Sequence, residues 1–290
     1  MYGSILVPTD GSDVATTAAE SAIAIARQYD AELHVLHVVE SIDLPGEFPG
    51  LQGELVQQGN AYVSDIDDRA ASAGVDSTMS VQGAGTSPHQ AILEYVDEHG
   101  IDLVAMGTRG RTGLDRLLLG SVAERTLVEA AAPVLTVRED VTVDPSFRSI
   151  LVPFDGSEGS MAAVEHAVSL AQTTDATITF CHVIDQSLAV GDYNDALVME
   201  ELQATSEDVI DTAVKQAEGA GVQTTDTPVL VGKPYEEIVR FADEQDHDCI
   251  VMGTHGQSTL GERLLGSTTS RVIRKASVPV ISVRPEESGE

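Results

Sequence analysis

Lysine is nearly missing from this chain, tryptophan is missing altogether, and cysteine occurs twice. The lysines are Lys215, Lys233 and Lys275, and 47 aspartates and glutamates outweigh 16 lysines and arginines to give a formal net charge of -31. So uniform a negative field repels phosphates and argues against nucleic acid or an anionic membrane surface as partner. Acidic residues spread along the whole chain with so little lysine fit adaptation to molar salt, where screening over about 3 Å removes self-repulsion. The composition is the one expected of an extreme halophile. Two cysteines make no disulfide framework. Cys181 and Cys249 lie in apolar strand-like runs, TITFCHVI and CIVMGT, and read as small buried hydrophobes. No apolar run reaches the roughly 18 residues of a membrane span. The start, MYGSILVPTDGS, has an acidic turn where a signal peptide has a basic region, so a cytoplasmic location is expected.

What is present suffices for real cores. Apolar residues make up 42% and charged residues 22% of 290, near globular averages, and the length suits two domains or one large one. An internal repeat decides between them. SILVPTDGS at Ser4 to Ser12 returns as SILVPFDGS at Ser149 to Ser157, and later landmarks recur in the same order: VAMGTRG with VMGTHG, LLLGS with LLGS, APVLTVR with VPVISVR. The chain is a tandem duplication. The acidic, proline-containing stretch from Arg138 to Arg148 holds the expected linker, residues 140–146, between domains 1–139 and 147–290.

Within each half, apolar runs bounded by turn residues alternate with helical patterns. Strands are expected at Ile5 to Pro8, Glu32 to Val39, Val75 to Val81, Asp102 to Met106 and Val134 to Val137. The first helix opens at Ser12, a candidate N-cap, and carries Ala15, Ala18, Ala19, Ala22, Ile23 and Ala26 on one face. Further helices are expected at Leu51 to Ser72, Ser87 to His99 and Ser121 to Ala131. This alternation predicts an α/β fold: two tandem Rossmann-like three-layer α/β/α domains, each with a five-stranded, mostly parallel sheet. Ser41 to Gly50 and its counterpart Gln186 to Asn194 read as loops over the carboxyl ends of the strands.

Ligands of such sheets sit beyond those ends, at the point where strand order reverses. Two elements fall there in each half. One is the turn after the first strand, Pro8 to Ser12 and Pro153 to Ser157. The other is Gly107-Thr-Arg-Gly110, nine residues, then Gly120-Ser121, repeated as Gly253-Thr-His-Gly256, nine residues, then Gly266-Ser267. Paired glycines permit close backbone approach and positive φ, while Gly-Ser at a helix start offers free N–H groups at the positive dipole end, which suits a polyphosphate. A purely structural use of these glycines, in turns and caps, stands beside that reading. The pattern is neither a Walker loop nor the GxGxxG fingerprint. Asp10 and Asp155 either hold a ribose hydroxyl or metal ion, or form an Asx-type turn at the helix entry. Arg109 and His255 share one motif position, where either meets a phosphate or is simply solvated. His37 and His182, at matching strand ends, read as packing.

These motifs resemble those of the universal stress protein family. Its ATP-binding members carry G-x-x-G, nine residues, then G and Ser or Thr, after a first-strand turn containing aspartate, and the resemblance covers nearly the whole chain. It implies an adenine-nucleotide site in each half, for ATP or else AMP or ADP, with or without magnesium. In the first, Pro8, Thr9, Asp10 and Val38 would border adenine and ribose, with Met106, Gly107, Arg109, Gly110, Gly120, Ser121 and Val122 around ribose and phosphates. In the second, Pro153, Phe154, Asp155 and Val183 would be joined by Met252, Gly253, His255, Gly256, Gly266, Ser267, Thr268 and Thr269. Ala123 stands where Thr269 offers a hydroxyl, and Phe154 replaces Thr9, so unequal affinities are expected. Family members commonly dimerise through their last strands. That implies Val134 to Val137 antiparallel to Val280 to Val283 in an intramolecular pseudo-dimer, with a further homodimer left open.

No dedicated metal cage, GxSxG elbow, paired Cys and His, or SGGxDS turn is visible, and Asp65, Asp67 and Asp68 lack the glycine and terminal glutamate of a calcium loop. With no candidate base or nucleophile, no enzymatic role is expected beyond slow ATP hydrolysis. The expected function is a nucleotide-binding regulator or sensor in the stress response. The alternative is a non-catalytic scaffold or regulatory partner with a vestigial nucleotide site.

Overall fold

The computed structural model describes residues 1–40, 49–83, 87–109, 119–186, 196–225, 227–256 and 264–285. They form two compact units, Met1–Pro145 and Ser146–Glu290.

The first unit runs β1 (Ser4–Pro8), α1 (Asp13–Tyr29), β2 (Glu32–Val38), α2 (Pro49–Ser72), β3 (Ser77–Gln82), α3 (Pro88–His99), β4 (Leu103–Gly107), α4 (Ser121–Glu129) and β5 (Val134–Val137). Its strands are all parallel, in the order 3-2-1-4-5. α1 and α2 pack together, as do α3 and α4, which gives the expected three layers. Ile5, Leu6 and Val7 in the central strand are wholly buried, worth about 1.5–3 kcal/mol each when such side chains leave water. α1 starts where the Ser12 hydroxyl accepts from Ala15 N–H, and it ends at Asp30, which takes the left-handed conformation at φ 55°. Between those caps it buries Val14, Ala15, Ala18, Ala19, Ala22, Ile23, Ile25 and Ala26. So alanine-rich a face lets the helix axis lie close against the sheet.

The second unit repeats the plan with β6 (Ser149–Pro153), α5 (Glu158–Thr174), β7 (Thr177–Asp185), α6 (Ala196–Gly219), β8 (Gln223–Thr224), β9 (Val229–Gly232), α7 (Pro234–Glu244), β10 (Cys249–Gly253), α8 (Ser267–Lys275) and β11 (Val280–Val283). β11, β10, β6 and β7 lie side by side, and β8 and β9 both pair with β7. The third strand position is therefore split in two, which departs from the expected five strands. Pro228, lacking an N–H for a ladder, lies in the break.

The stretch read as a linker is not fully solvated: Val141 and Val143 are buried, and so is Phe147 just beyond it, held at φ 41°. Among the described residues no helix is long and apolar enough to cross a membrane. The loops expected at Ser41 to Gly50 and Gln186 to Asn194 lie outside the described residues, apart from Pro49 and Gly50, which open α2, and Gln186.

Candidate functional site

Strand order reverses between β1 and β4 in the first unit and between β6 and β10 in the second. The turns after these strands meet there. Thr9 N–H donates to Leu36 O and Phe154 N–H to Cys181 O, each at 2.8 Å, so the first residue of each turn is still tied to the neighbouring strand. Gly11 and Gly156 then take φ 77° and 80°, which side chains rarely tolerate. Asp10 Oδ1 accepts from Ser12 N–H at 3.0 Å and from its hydroxyl at 2.6 Å. Asp155 repeats both bonds with Ser157 at the same distances. Through Oδ1 each aspartate makes the Asx-type turn at the helix entry.

Sequence reasoning missed the role of the two strand-end histidines. His37 Nδ1 lies 2.8 Å from Thr9 O, and His182 Nδ1 lies 2.8 Å from Phe154 O. A carbonyl only accepts, so each ring donates and latches β2 or β7 to the turn. Their recurrence at equivalent positions was the signal. Tyr62 on α2 completes this side of the first unit, its ring edge-on to His37 and lying where a Cβ on Gly11 would go.

The glycine motif closes on itself. Thr108 N–H donates to Val137 O at 3.1 Å, and Thr108 O accepts from Gly120 N–H at 2.9 Å. Thr254 does the same between Val283 and Gly266, at 3.0 and 2.8 Å. The residues on either side of each nine-residue insert are thereby brought to the end of β4 or β10. Gly120 and Gly266 are the N-caps, and Ser121 and Ser267, both exposed, begin α4 and α8. Val122 and Thr268 are half-buried behind them. The first-turn N–H groups of two helices therefore stand at the positive dipole ends beside the aspartate turns, a chemistry suited to an anion.

The glycines do not act as expected. Gly107, Gly120, Gly253, Gly256 and Gly266 all lack positive φ. Most serve close packing instead: a Cβ on Gly107 would lie 2.9 Å from Val14 Cγ1, one on Gly256 2.7 Å from Asp155 Oδ2, and one on Gly266 3.1 Å from Thr254 O. One on Gly253 would run into the backbone of Gly159. Gly110 lies outside the described residues.

The halves differ where the sequence differs. Arg109 pairs with Glu139 at 3.4 Å and is 19% exposed at its side chain. His255 instead bonds Thr254 Oγ1 through Nδ1 at 2.9 Å. Burial holds its pKa below the ordinary histidine value, and the Arg284 charge adds to this while the Leu264 backbone opposes it. Thr269 is buried, and its hydroxyl donates to Gly253 O at 2.8 Å, so it ties helix to strand where a phosphate contact was expected. Ala123, its counterpart, is buried without such a bond to make. Phe154 is buried where Thr9 offers Oγ1 to Gly11 N–H at 3.2 Å. Pro8, Val38, Pro153 and Val183 are half-buried at the strand ends, and Met106 and Met252 are buried within β4 and β10. Among the described residues no group of three or more His, Cys, Asp or Glu is placed to hold a metal ion.

Fold and site together define a tandem Rossmann-like α/β protein with a glycine-rich loop and helix N-terminus at the carboxyl edge of each sheet. The chain belongs to the universal stress protein family, which matches residues 1–138 and again 146–284. It is similar to universal stress protein MJ0531 of Methanocaldococcus jannaschii, 39% identical over 145 residues, covering 48% of this chain and 84% of that protein. Universal stress protein Slr1230 of Synechocystis is 26% identical over 307 residues, covering 97% of this chain and 99% of the relative. The crystal structure of a universal stress protein from Archaeoglobus fulgidus shares the fold with a TM-score of 0.72 at 22% identity, over 98% of this chain and 99% of that one.

Proposed function

We propose that the protein is a cytoplasmic adenine-nucleotide sensor of the stress response, with one ATP, ADP or AMP site per unit and no strong catalytic activity. The observation that carries the reading is the paired closure of Gly120 on Thr108 and Gly266 on Thr254. It ties two helix N-termini to the ends of β4 and β10, the strands next to those that lead into the Asp10 and Asp155 turns, which supports the reading. The anionic end of a nucleotide matches those N–H donors, and magnesium would offset its charge in so acidic a chain. The lack of a recognised nucleophile-and-base motif in the sequence supports a non-catalytic role. The two sites are unequal, because a permanent guanidinium at Arg109 is replaced by His255, which carries charge only at acid pH. Family resemblance further supports an intramolecular pseudo-dimer through the two last strands, and the composition supports a molar-salt cytoplasm.

Thermal unfolding with and without Mg-ATP in molar KCl tests this. Ligand at about 100 times Kd adds roughly 2.7 kcal/mol to the unit that binds it. Ser121→Glu and Ser267→Glu keep the helix starts satisfied, since an acidic residue suits the first turn, yet repel a phosphate. Loss of the shift in the double variant is the expected result. No shift in nucleotide-free wild-type protein would favour the scaffold reading, and a shift that survives both substitutions would move the site elsewhere.

A further inference from the structure

The outer edge of the first sheet is a continuous, uncharged strand. β3 stands last in the order 3-2-1-4-5, and its far side has no strand paired to it among the described residues. Its register with β2 settles which backbone groups are used. Leu33 N–H donates to Asp76 O at 3.0 Å and Val39 N–H to Gln82 O at 2.9 Å, with Leu33 to Val38 paired in register with Ser77 to Gln82. In a parallel ladder this turns the backbone groups of Asp76, Thr78, Ser80 and Gln82 toward β2. Those of Ser77, Met79 and Val81 point outward as a template for another strand.

Such edges are usually blunted by lysine, proline, a bulge or an inward-pointing charge, and Ser77–Gln82 has no charge and no proline. Met79 is 49% exposed, and it borders an open cavity of about 550 Å³ shared with Asn60, Val63 and Ser64 of α2. The equivalent edge of the second unit is protected, because β8 and β9 are only two and four residues long and Pro228 interrupts them.

We propose that β3 is an association edge, on which a second copy of this chain adds its own β3 antiparallel about a two-fold axis through Met79. The outward groups then meet in hydrogen-bonded pairs: Met79 with Met79 of the second copy, and Ser77 with Val81 in both directions. Side chains opposite one another share a face, so the exposed methionines cover each other. Thr78 faces Ser80 and Asp76 faces Gln82, and no two carboxylates stand directly opposed, where like charges are destabilising. Between molecules of charge -31, a strand with no charged residue of its own, whose flanking carboxylates Asp67 and Glu32 are engaged by Ser77 and Thr78, is an edge where two copies approach with reduced repulsion. Since the second unit's counterpart is interrupted, the contact is isologous and closes at two copies without growing into a filament.

Sedimentation velocity of the whole chain in molar KCl, over a hundredfold range of concentration, tests the proposal. A concentration-dependent dimer that weakens as salt is lowered is expected. Met79→Lys should weaken it at least about tenfold by burying charge at the axis. Met79→Pro should do the same by deleting an outward N–H while leaving the β2 ladder intact. If the proline variant fails to fold, judged by thermal melting, the lysine variant decides. Hydrogen exchange should show Ser77, Met79 and Val81 amides protected in the dimer and fast on dilution, with Thr78 and Ser80 protected throughout. Wild-type protein that stays monomeric over the whole range overturns the proposal, and so does a dimer indifferent to Met79→Lys.

Discussion

The imidazole Nδ1 of His37 donates to the carbonyl oxygen of Thr9 at 2.8 Å, joining the end of β2 to the turn that carries Asp10. His182 and Phe154 reproduce the bond in the second unit. A hydrogen bond of this kind contributes about 0.5–1.5 kcal/mol, and one that holds a binding turn in shape acts on affinity as well as stability. His37→Phe keeps an aromatic ring but removes the donor. On the proposed nucleotide-sensing function, calorimetry should find affinity at the first site lowered about three- to tenfold, with the second unaffected. Equal affinity in a folded variant would reduce the latch to packing.

The close approach of Gly253 to Gly159 predicts a one-sided intolerance. A methyl group on Gly253 meets backbone, which cannot rotate away, whereas on Gly107 it meets mainly the Val14 side chain. Gly253→Ala should therefore cost at least the 1–3 kcal/mol or so of an overpacked core, and Gly107→Ala less. Differential scanning calorimetry of the two variants would show which loses more, and an equal loss would contradict the packing argument.

Acid should loosen the first unit through His34. This ring is buried, with Nδ1 3.0 Å from Tyr95 OH, and it lies 3.8 Å from Glu32 and edge-on to His99. Burial lowers its pKa, Glu32 opposes the shift, and His99 adds to it. The unfolded chain then binds the proton first. Stability is complete above about pH 6.5, the ordinary histidine value, and falls as pH drops from there toward the folded pKa. His34→Gln should flatten that slope in melts recorded at successive pH values. A slope as steep as that of the wild type would place the acid sensitivity elsewhere.

Both thiols should be inert in the native protein. Burial pushes Cys181 up to about 12 and raises Cys249 as well, with the Asp248 charge adding to the latter. Since the thiolate is the nucleophile, a disulfide reagent at pH 8 should label neither until urea is added, and then both. Labelling of the folded chain would mean local opening of β7 or β10.

The architecture was legible because the repeat SILVPTDGS and SILVPFDGS fixed both the number of units and their equivalent strands, and because the alanine face of α1 has a clear helical period. The strand-end turns were legible for the same reason. The split of β8 from β9 was not, since a short β-branched run around Pro228 is compatible with one strand until its pairing is known. Nor were the particular packing duties of Gly107, Gly253 and Gly256. Glycine spacing alone does not distinguish room for a ligand from room for Val14, Gly159 or Asp155 across the fold. Nor was the bond of Thr269 legible, because a hydroxyl in the first helical turn can face outward or reach back to the carbonyl of Gly253.

The bonds from Gly120 to Thr108 and from Gly266 to Thr254 tie the N-caps of α4 and α8 back to the ends of β4 and β10. What is inserted between such pinned ends can change in length or composition at little entropic cost, since doubling a flexible loop adds only about 0.6 kcal/mol. The strands beneath need not register the change. A duplicated gene encoding this frame thus has two independently editable cassettes on one unaltered chassis, and its halves are free to diverge without renegotiating the fold.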